Sequence, residues 1–296
     1  MRCACIDGGS NTTRLLVAER GTGGVVLRTV VSDRSFTRLS AGRAADGSIM
    51  SERIGAVAAV VAAQAAQAQV AGVDALRVVA TAAVRDAPNG AELCAQVRER
   101  AHVDIEVLSA EEEGRLAFAG AINTLGGAGD AHGDARVAVV DVGGGSTELV
   151  CGTPTTGVRW MRSFAIGSGM LTERHIDGDR PTTTELAALR TEVRACFAAL
   201  DPPTLDAAYA VGGSATSLGR LTRGALHPAS LARALDTLCS GPVIVVADRL
   251  GLHADRVRML PAGIVVLSEA ARVLRAPLGI ASGGLREGLI LSMLPR

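Results

Sequence analysis

Arg136-Val137-Ala138-Val139-Val140-Asp141-Val142-Gly143-Gly144-Gly145-Ser146-Thr147-Glu148-Leu149-Val150-Cys151 is the stretch whose reading decides the fold. An apolar run ends in an aspartate, a glycine turn follows, and Glu148 leads into a second apolar run, so it predicts strand, turn, strand. The N-terminus has the same layout, with a strand over 2–7, the turn Asp7-Gly8-Gly9-Ser10-Asn11-Thr12 and a strand over 14–19. Two such openings point to an internal duplication of an α/β unit. Glycines let backbone N–H groups approach an oxyanion, Ser and Thr hydroxyls add donors, and a strand-end aspartate can orient Mg2+ or its water shell. Each loop therefore reads as a grip for a phosphorylated ligand. The dinucleotide-binding reading of Gly143–Gly145 fails, because no G-x-G-x-x-G is present and a strand follows.

The bulk properties narrow the chemistry. With 296 residues, 48% of them hydrophobic, the chain can bury the cores of two domains. Aromatics are only 2%, so Ala, Val and Leu must do the packing. The 30 basic residues balance the 30 acidic ones, and the six aromatics are scattered, unlike the basic stripe of a nucleic-acid binder. Every basic residue is arginine. The lysine-dependent P-loop, Schiff-base chemistry and kinases that need a phosphate-bridging lysine are thereby excluded, whereas bidentate arginine–phosphate contacts remain open. The six cysteines form no C-x-x-C pair, and Cys3 and Cys5 share one face of a strand as small buried hydrophobes. The histidines make no zinc set. The chain opens on a strand with no signal peptide, and its longest apolar stretch, 56–73, is broken by three glutamines. The expectation is a soluble cytoplasmic protein with reduced thiols and no membrane partner.

Along the chain, a third strand is expected at 25–31, a helix at 51–71 and a strand at 76–81. A helix opening at Asn89, capped with Glu92, a strand at 103–108 and a helix after Ser109 follow. Residues 125–136 read as a linker or loop. Beyond the opening stretch come a strand at 158–165, helices at 169–175 and 183–200 (with a Thr182/Glu185 capping box) and a strand at 207–211. The turn Gly212-Gly213-Ser214, several helices to 274, a strand at 278–281 and a final helix after Gly283-Gly284 complete the pattern.

A second constellation is Ser109-Ala110-Glu111-Glu112-Glu113-Gly114-Arg115-Leu116. Ser109 and Glu112 make a capping box, so Glu112 has a structural task, while Glu113 points to another face and is a candidate base. Arg85 directly follows a buried strand and suits either an ion pair with Asp86 or a helix acid, or a phosphate contact; Arg38 and Arg286 carry the same two readings.

These residues resemble the exopolyphosphatase/guanosine pentaphosphate phosphohydrolase (Ppx/GppA) family of the actin-like ATPase superfamily. The matching segments are DGGSNTTRLL (7–16), Arg38-Leu39, ATAAVRDAPN (80–89), LSAEEEGRL (108–116), VDVGGGSTELV (140–150), IGSGMLT (166–172), 211–218, 253–263 and GLREGLIL (284–291), in the family's order over nearly the whole chain. The resemblance implies an α/β fold of two ribonuclease-H-like domains around a central cleft, 1–122 and 123–284, with the final helix 285–296 packing back on the first. It implies hydrolysis of a terminal phosphoanhydride, of inorganic polyphosphate or guanosine pentaphosphate. Glu113 would be the base, Arg85 an arginine of the catalytic cleft, and Asp141 and Glu148 the holders of Mg2+ or another divalent cation. Phosphate would be gripped by Asp7, Gly9, Ser10, Asn11, Thr12 and Arg38, by Gly143, Gly144, Gly145 and Ser146, and by Gly212, Gly213 and Ser214. Longer members carry extra C-terminal helical domains; here the chain stops ten residues after Arg286. Which of Glu111–Glu113 acts stays open, as do homodimerisation, an ATPase or kinase activity of the same superfamily, and a non-catalytic alarmone sensor.

Overall fold

A computed structural model describes residues 1–22, 26–125, 133–222, 224 and 226–295. In chain order it contains β1 (Arg2–Gly8), β2 (Thr13–Arg20), β3 (Leu27–Ser35), α1 (Ser51–Val70), β4 (Ala75–Ala80), α2 (Ala82–Arg85), α3 (Gly90–Ala101), β5 (Ile105–Val107) and α4 (Ala110–Leu125). Next are β6 (Val137–Val142), β7 (Thr147–Thr153), β8 (Gly157–Phe164), α5 (Ser168–His175), α6 (Thr183–Phe197), β9 (Ala207–Val211) and α7 (Gly212–Thr222). The remainder is α8 (Pro228–Leu238), α9 (Val243–Leu250), α10 (Ala254–Leu274), β10 (Gly279–Ile280) and α11 (Leu285–Met293).

The chain divides into two units, residues 1–127 with 283–296, and residues 128–282. The sheet of the first runs β3-β2-β1-β4-β5, and that of the second, read from its other edge, β8-β7-β6-β9-β10. In both, the first three strands are an antiparallel meander, and the fourth and fifth lie parallel to the first. This is the ribonuclease-H-like topology, present twice as expected. Tight turns can close the antiparallel strands, whereas the parallel step from β1 to β4 needs a crossover, which α1 supplies.

Strand alternation sorts the first core. Ala4, Ile6, Leu15, Val17, Val78 and Ala80 face one way, onto α1 and α3. Cys3, Cys5, Leu16, Ala18 and Val79 face the other, onto Leu289 and Ile290 of α11. Cys3 and Cys5 are free buried thiols. Helix α11 lies tightly against α4: a Cβ at Gly288 would sit 2.0 Å from the Leu116 carbonyl oxygen, so only glycine permits this approach. The second core is larger and wraps α10, whose buried face includes Leu260, Val265 and Leu267.

Several sequence expectations need correction. Strand β3 covers Leu27–Ser35 and so runs on through Asp33 and Arg34, because its ladder to β2, not its apolarity, defines it; Val25, where the expected strand began, lies outside the described residues. Strand β5 is three residues long, an edge strand paired only to Val78–Ala80. Asn89 makes no cap bond with α3. Its amide instead accepts from the Ile49 N–H at 2.8 Å and donates to the Ile49 carbonyl at 2.9 Å. Helix α2 was not anticipated, α6 ends at Phe197, and residues 126–132 of the expected linker lie outside the described residues. Both other capping boxes form, Ser109 with Glu112 and Thr182 with Glu185. Among the described residues, no single helix is long and apolar enough to cross a membrane.

Candidate functional site

In the first unit the β1–β2 turn is closed by the Gly9 N–H donating to the Thr12 carbonyl at 3.1 Å. The Asn11 carbonyl accepts from the N–H groups of Thr37 and Arg38, and the Ser10 carbonyl from Ser40. Ser10, Asn11, Thr12 and Arg38 are thus brought together, with Arg38 in the left-handed region (φ 48°) and its side chain exposed. The chain after Arg38 is tied to the segment bearing Arg85: Arg43 donates to the Gly47 and Ala83 carbonyls at 3.1 and 2.6 Å, and Asn89 clamps Ile49.

Arg85, on α2, donates through Nη1 to the Leu108 carbonyl at 2.9 Å and to Glu113 Oε2 at 3.2 Å. Its Nε lies 3.4 Å from Asp86, so both ion-pair partners expected from the sequence are present. The three glutamates opening α4 separate cleanly. Glu111 pairs with Arg115 on the exposed side at 2.6 Å, and Glu112 is spent on the Ser109 cap, which holds its carboxyl below the usual range. Glu113 alone of the three is buried and faces Arg85.

Beneath the first turn lies a charged group that sequence reasoning did not assemble. Asp7 is paired in register with Arg14 on β2, and Arg286 of α11 lies close enough to act on both. Asp7 Oδ1, Arg14 Nε and Arg286 Nη1 are buried with no hydrogen-bond partner among the described residues. Burial raises the Asp7 carboxyl despite the opposing pull of Arg286 and Arg14. Burial, aided by the nearby Arg286, lowers Arg14 to about 10, so Arg14 stays charged at neutral pH. A signal for Arg14 existed: aligning the two turns places Arg14 at the position of Glu148.

The second unit repeats the geometry. The Gly143 N–H donates to the Ser146 carbonyl at 3.0 Å, as Gly9 does to Thr12. The turn is braced from α5, with Ser168 donating to the Gly143 carbonyl and Gly169 and Met170 to that of Gly144. Thr147 Oγ1 donates to the Ile166 carbonyl at 2.6 Å. Asp141 stands opposite Glu148 across β6–β7 and beside Val211 of β9. Gly212 follows with φ 83°, and a Cβ there would meet Asp141 Oδ1 at 2.5 Å. Gly213 is overlain by the Arg256 guanidinium, and Ser214 Oγ is buried at the start of α7. Asp141, Glu148, the 143–146 turn and Gly212–Ser214 therefore belong to one corner of this unit. Arg256 is an additional cation there that the motifs did not single out.

Glu148 is almost fully buried and accepts from Ser163 Oγ at 2.8 Å. Two carboxylates on adjacent antiparallel strands, the Gly212 backbone shaped around one of them, fit a hard divalent cation. Mg2+ takes one or two protein carboxylates and completes its shell with phosphate and water. Among the described residues no group of three or more His, Cys, Asp or Glu could hold a metal, so Asp141 and Glu148 have no third such side chain beside them.

A doubled ribonuclease-H-like fold with an Asp/Gly turn at the head of each sheet is the class of protein these features define. The Ppx/GppA phosphatase family matches over residues 16–238, and the chain belongs to that family. It is 30% identical to exopolyphosphatase 2 of Mycobacterium tuberculosis, covering 99% of this chain and 98% of that protein. Identity to exopolyphosphatase 1 of Mycobacterium bovis is also 30%, over 99% and 88% of the two chains. The crystal structure of the Aquifex aeolicus Ppx/GppA family member superposes with a TM-score of 0.79 at 27% identity, covering 99% and 97%. An exopolyphosphatase from Cytophaga hutchinsonii shares the fold, with a TM-score of 0.87 at 19% identity and the same coverage.

Proposed function

We propose that this protein is a Mg2+-dependent exopolyphosphatase that hydrolyses the terminal phosphoanhydride of inorganic polyphosphate. The observation that carries the reading is Glu113: of three consecutive glutamates, it alone is buried and held by an arginine. Its relatives named exopolyphosphatase, matched over 99% of this chain, support the substrate class.

In this mechanism Glu113 accepts a proton from the attacking water at a carboxylate oxygen, a role worth about 10²–10⁴-fold. Arg85 holds that carboxylate in place and offers its guanidinium to the charge that develops on the equatorial phosphoryl oxygens. In the first unit the backbone N–H groups of the 8–12 turn, with Ser10, Thr12 and Arg38, would grip phosphate oxygens, and in the second those of the 143–146 turn, with Ser146, would do the same. Gly212–Ser214 add the N-terminus of α7. Asp141 and Glu148 would hold the divalent cation, which supplies charge neutralisation to the phosphates. Phosphoryl transfer asks mainly for positioning and electrostatics, which arginine and glycine turns can provide without lysine.

Guanosine pentaphosphate also ends in a phosphoanhydride, which makes it the second substrate to test. One assay tests the reading: orthophosphate release by the full chain with Mg2+ from short polyphosphate, long polyphosphate and guanosine pentaphosphate. Release from polyphosphate is expected, with Glu113→Gln about 100-fold slower or worse. Undiminished turnover by the glutamine variant removes Glu113 as base, and no release from any anhydride overturns the function.

A further inference from the structure

Helix α6 packs along α10 in the second unit, and their contact holds an unbalanced ionic cluster. Glu269 of α10 is buried, and three guanidinium groups converge on it through their Nε edges. Arg194 reaches Oε1 at 3.0 Å, Arg190 approaches the same oxygen at 3.7 Å, and Arg272 reaches Oε2 at 2.7 Å. The contacts with Arg194 and Arg272 keep the carboxyl below its usual range against the opposing effect of burial. The arginines themselves are 41–55% exposed. Among the described residues nothing accepts from their terminal nitrogens.

The excess charge is not absorbed nearby on these helices. On α6, Glu185 is consumed by the Thr182 capping box, and Glu192 faces Arg174 and His175. On α10, the other acid is Asp255, beside His253 at the opposite end of the helix. Three positive groups thus share one negative one, in a chain whose net charge is zero. Arg194 and Arg272, hydrogen-bonded to Glu269 through Nε, keep the rest of the planar fork for oxyanions, and Arg190 stands beside them without a hydrogen bond of its own to Glu269. Arg190 and Arg194 are one turn apart on α6, so a linear polyanion can touch both and Arg272.

We propose that Arg190, Arg194 and Arg272 form a secondary site for an inorganic phosphate chain, binding a part of it distant from its reacting end. The proposal rests on the exopolyphosphatase reading and adds a chain-length preference to it. Arg272 lies sixteen residues beyond Arg256 on α10, about 24 Å at 1.5 Å per residue. The two side chains also lie on nearly opposite sides of the helix, so only a chain considerably longer than that axial rise engages both. Single-stranded nucleic acid is the poorer fit, since these arginines stand with no exposed aromatic side chain on α6 or α10 for base stacking.

The test compares the parent with the quadruple variant R190Q/R194Q/E269Q/R272Q, which leaves no buried carboxylate unpaired. With an unchanged melting transition, its KM for long-chain polyphosphate should rise about 10-fold, while kcat and the KM for tripolyphosphate hold. Should the quadruple variant not fold, the triple Arg→Lys variant keeps the charges but loses the forks, and about a 3-fold rise is expected. Unchanged KM on the long chain, or an equal rise on both substrates, overturns the proposal while leaving the exopolyphosphatase reading intact. If the parent cleaves neither substrate, that reading fails. Equilibrium binding of long-chain polyphosphate to parent and variant then decides the patch alone: weaker binding by the variant supports it, equal binding overturns it. Single-stranded RNA of equal charge displacing polyphosphate at lower concentration would also overturn it.

Discussion

Asp7 and Asp141 occupy equivalent positions, yet their cross-strand partners differ: Arg14 for one, Glu148 for the other. The same turn thus sits in two electrostatic settings, an acid beside two arginines in the first unit and an acid opposite a second acid in the second. Burial raises the Asp7 carboxyl despite the pull of Arg286 and Arg14, so its ionised form is costly in the folded protein. Its folded pKa lies above its unfolded value, so its favourable contribution is complete below about pH 4 and is lost as the pH rises through the raised value. Asp7→Asn should therefore match the parent's melting temperature in acid and equal or exceed it at neutral pH, while phosphate release falls. Thermal melts across that pH range check the sign; a variant that loses stability progressively from acid to neutral pH would refute it. Asp7, Glu113, Asp141 and the glycines were legible in the sequence because their residue types carry the chemistry. Arg286 was legible as a candidate for an ion pair or a phosphate contact, but not as a neighbour of Asp7, since that proximity spans almost the whole chain.

At the scale of elements, the contact of α4 with α11 is the most exacting. Glu113 opens α4, and two turns further on Gly120 packs against the N-terminal end of α11. Gly288→Ala would drive a methyl into the Leu116 carbonyl, a backbone atom that cannot swing aside. We expect destabilisation of about 3 kcal/mol, measured by denaturant melts, with phosphate release impaired through displacement of α4. Wild-type stability would show that the helices separate without cost. The paired strand-turn-strand openings were legible in the duplicated pattern, but α2 was not, because four residues are too few for any periodicity to register. Asn89 shows the opposite failure. Its sequence context suggests a helix cap, and the structure uses its amide to staple a loop forty residues away.

Across the whole molecule the two units differ in continuity. Residues 128–282 form one uninterrupted unit, whereas the first is completed by residues 283–296. Leu289 and Ile290 fill the face of the first sheet that carries Cys3 and Cys5. A fragment 128–282 should then melt cooperatively alone, while 1–127 should not until 283–296 is joined to it by a flexible linker. Calorimetry of the three fragments tests this, and a cooperative melt of 1–127 alone would contradict it. By itself the sequence determined the duplicated strand-turn-strand openings, the Asp/Gly turns, the Ser109 and Thr182 capping boxes and the family, because each is written in residues adjacent in the chain. Tertiary structure decided which of three glutamates is buried, that Arg14 and Arg286 converge under Asp7, and that three arginines share Glu269. Those depend on which side chains folding removes from water together, and the free energy of a charge is set by such neighbours. The two Asp/Gly turns were evident from the start; the charges that make them unlike each other came from across the fold.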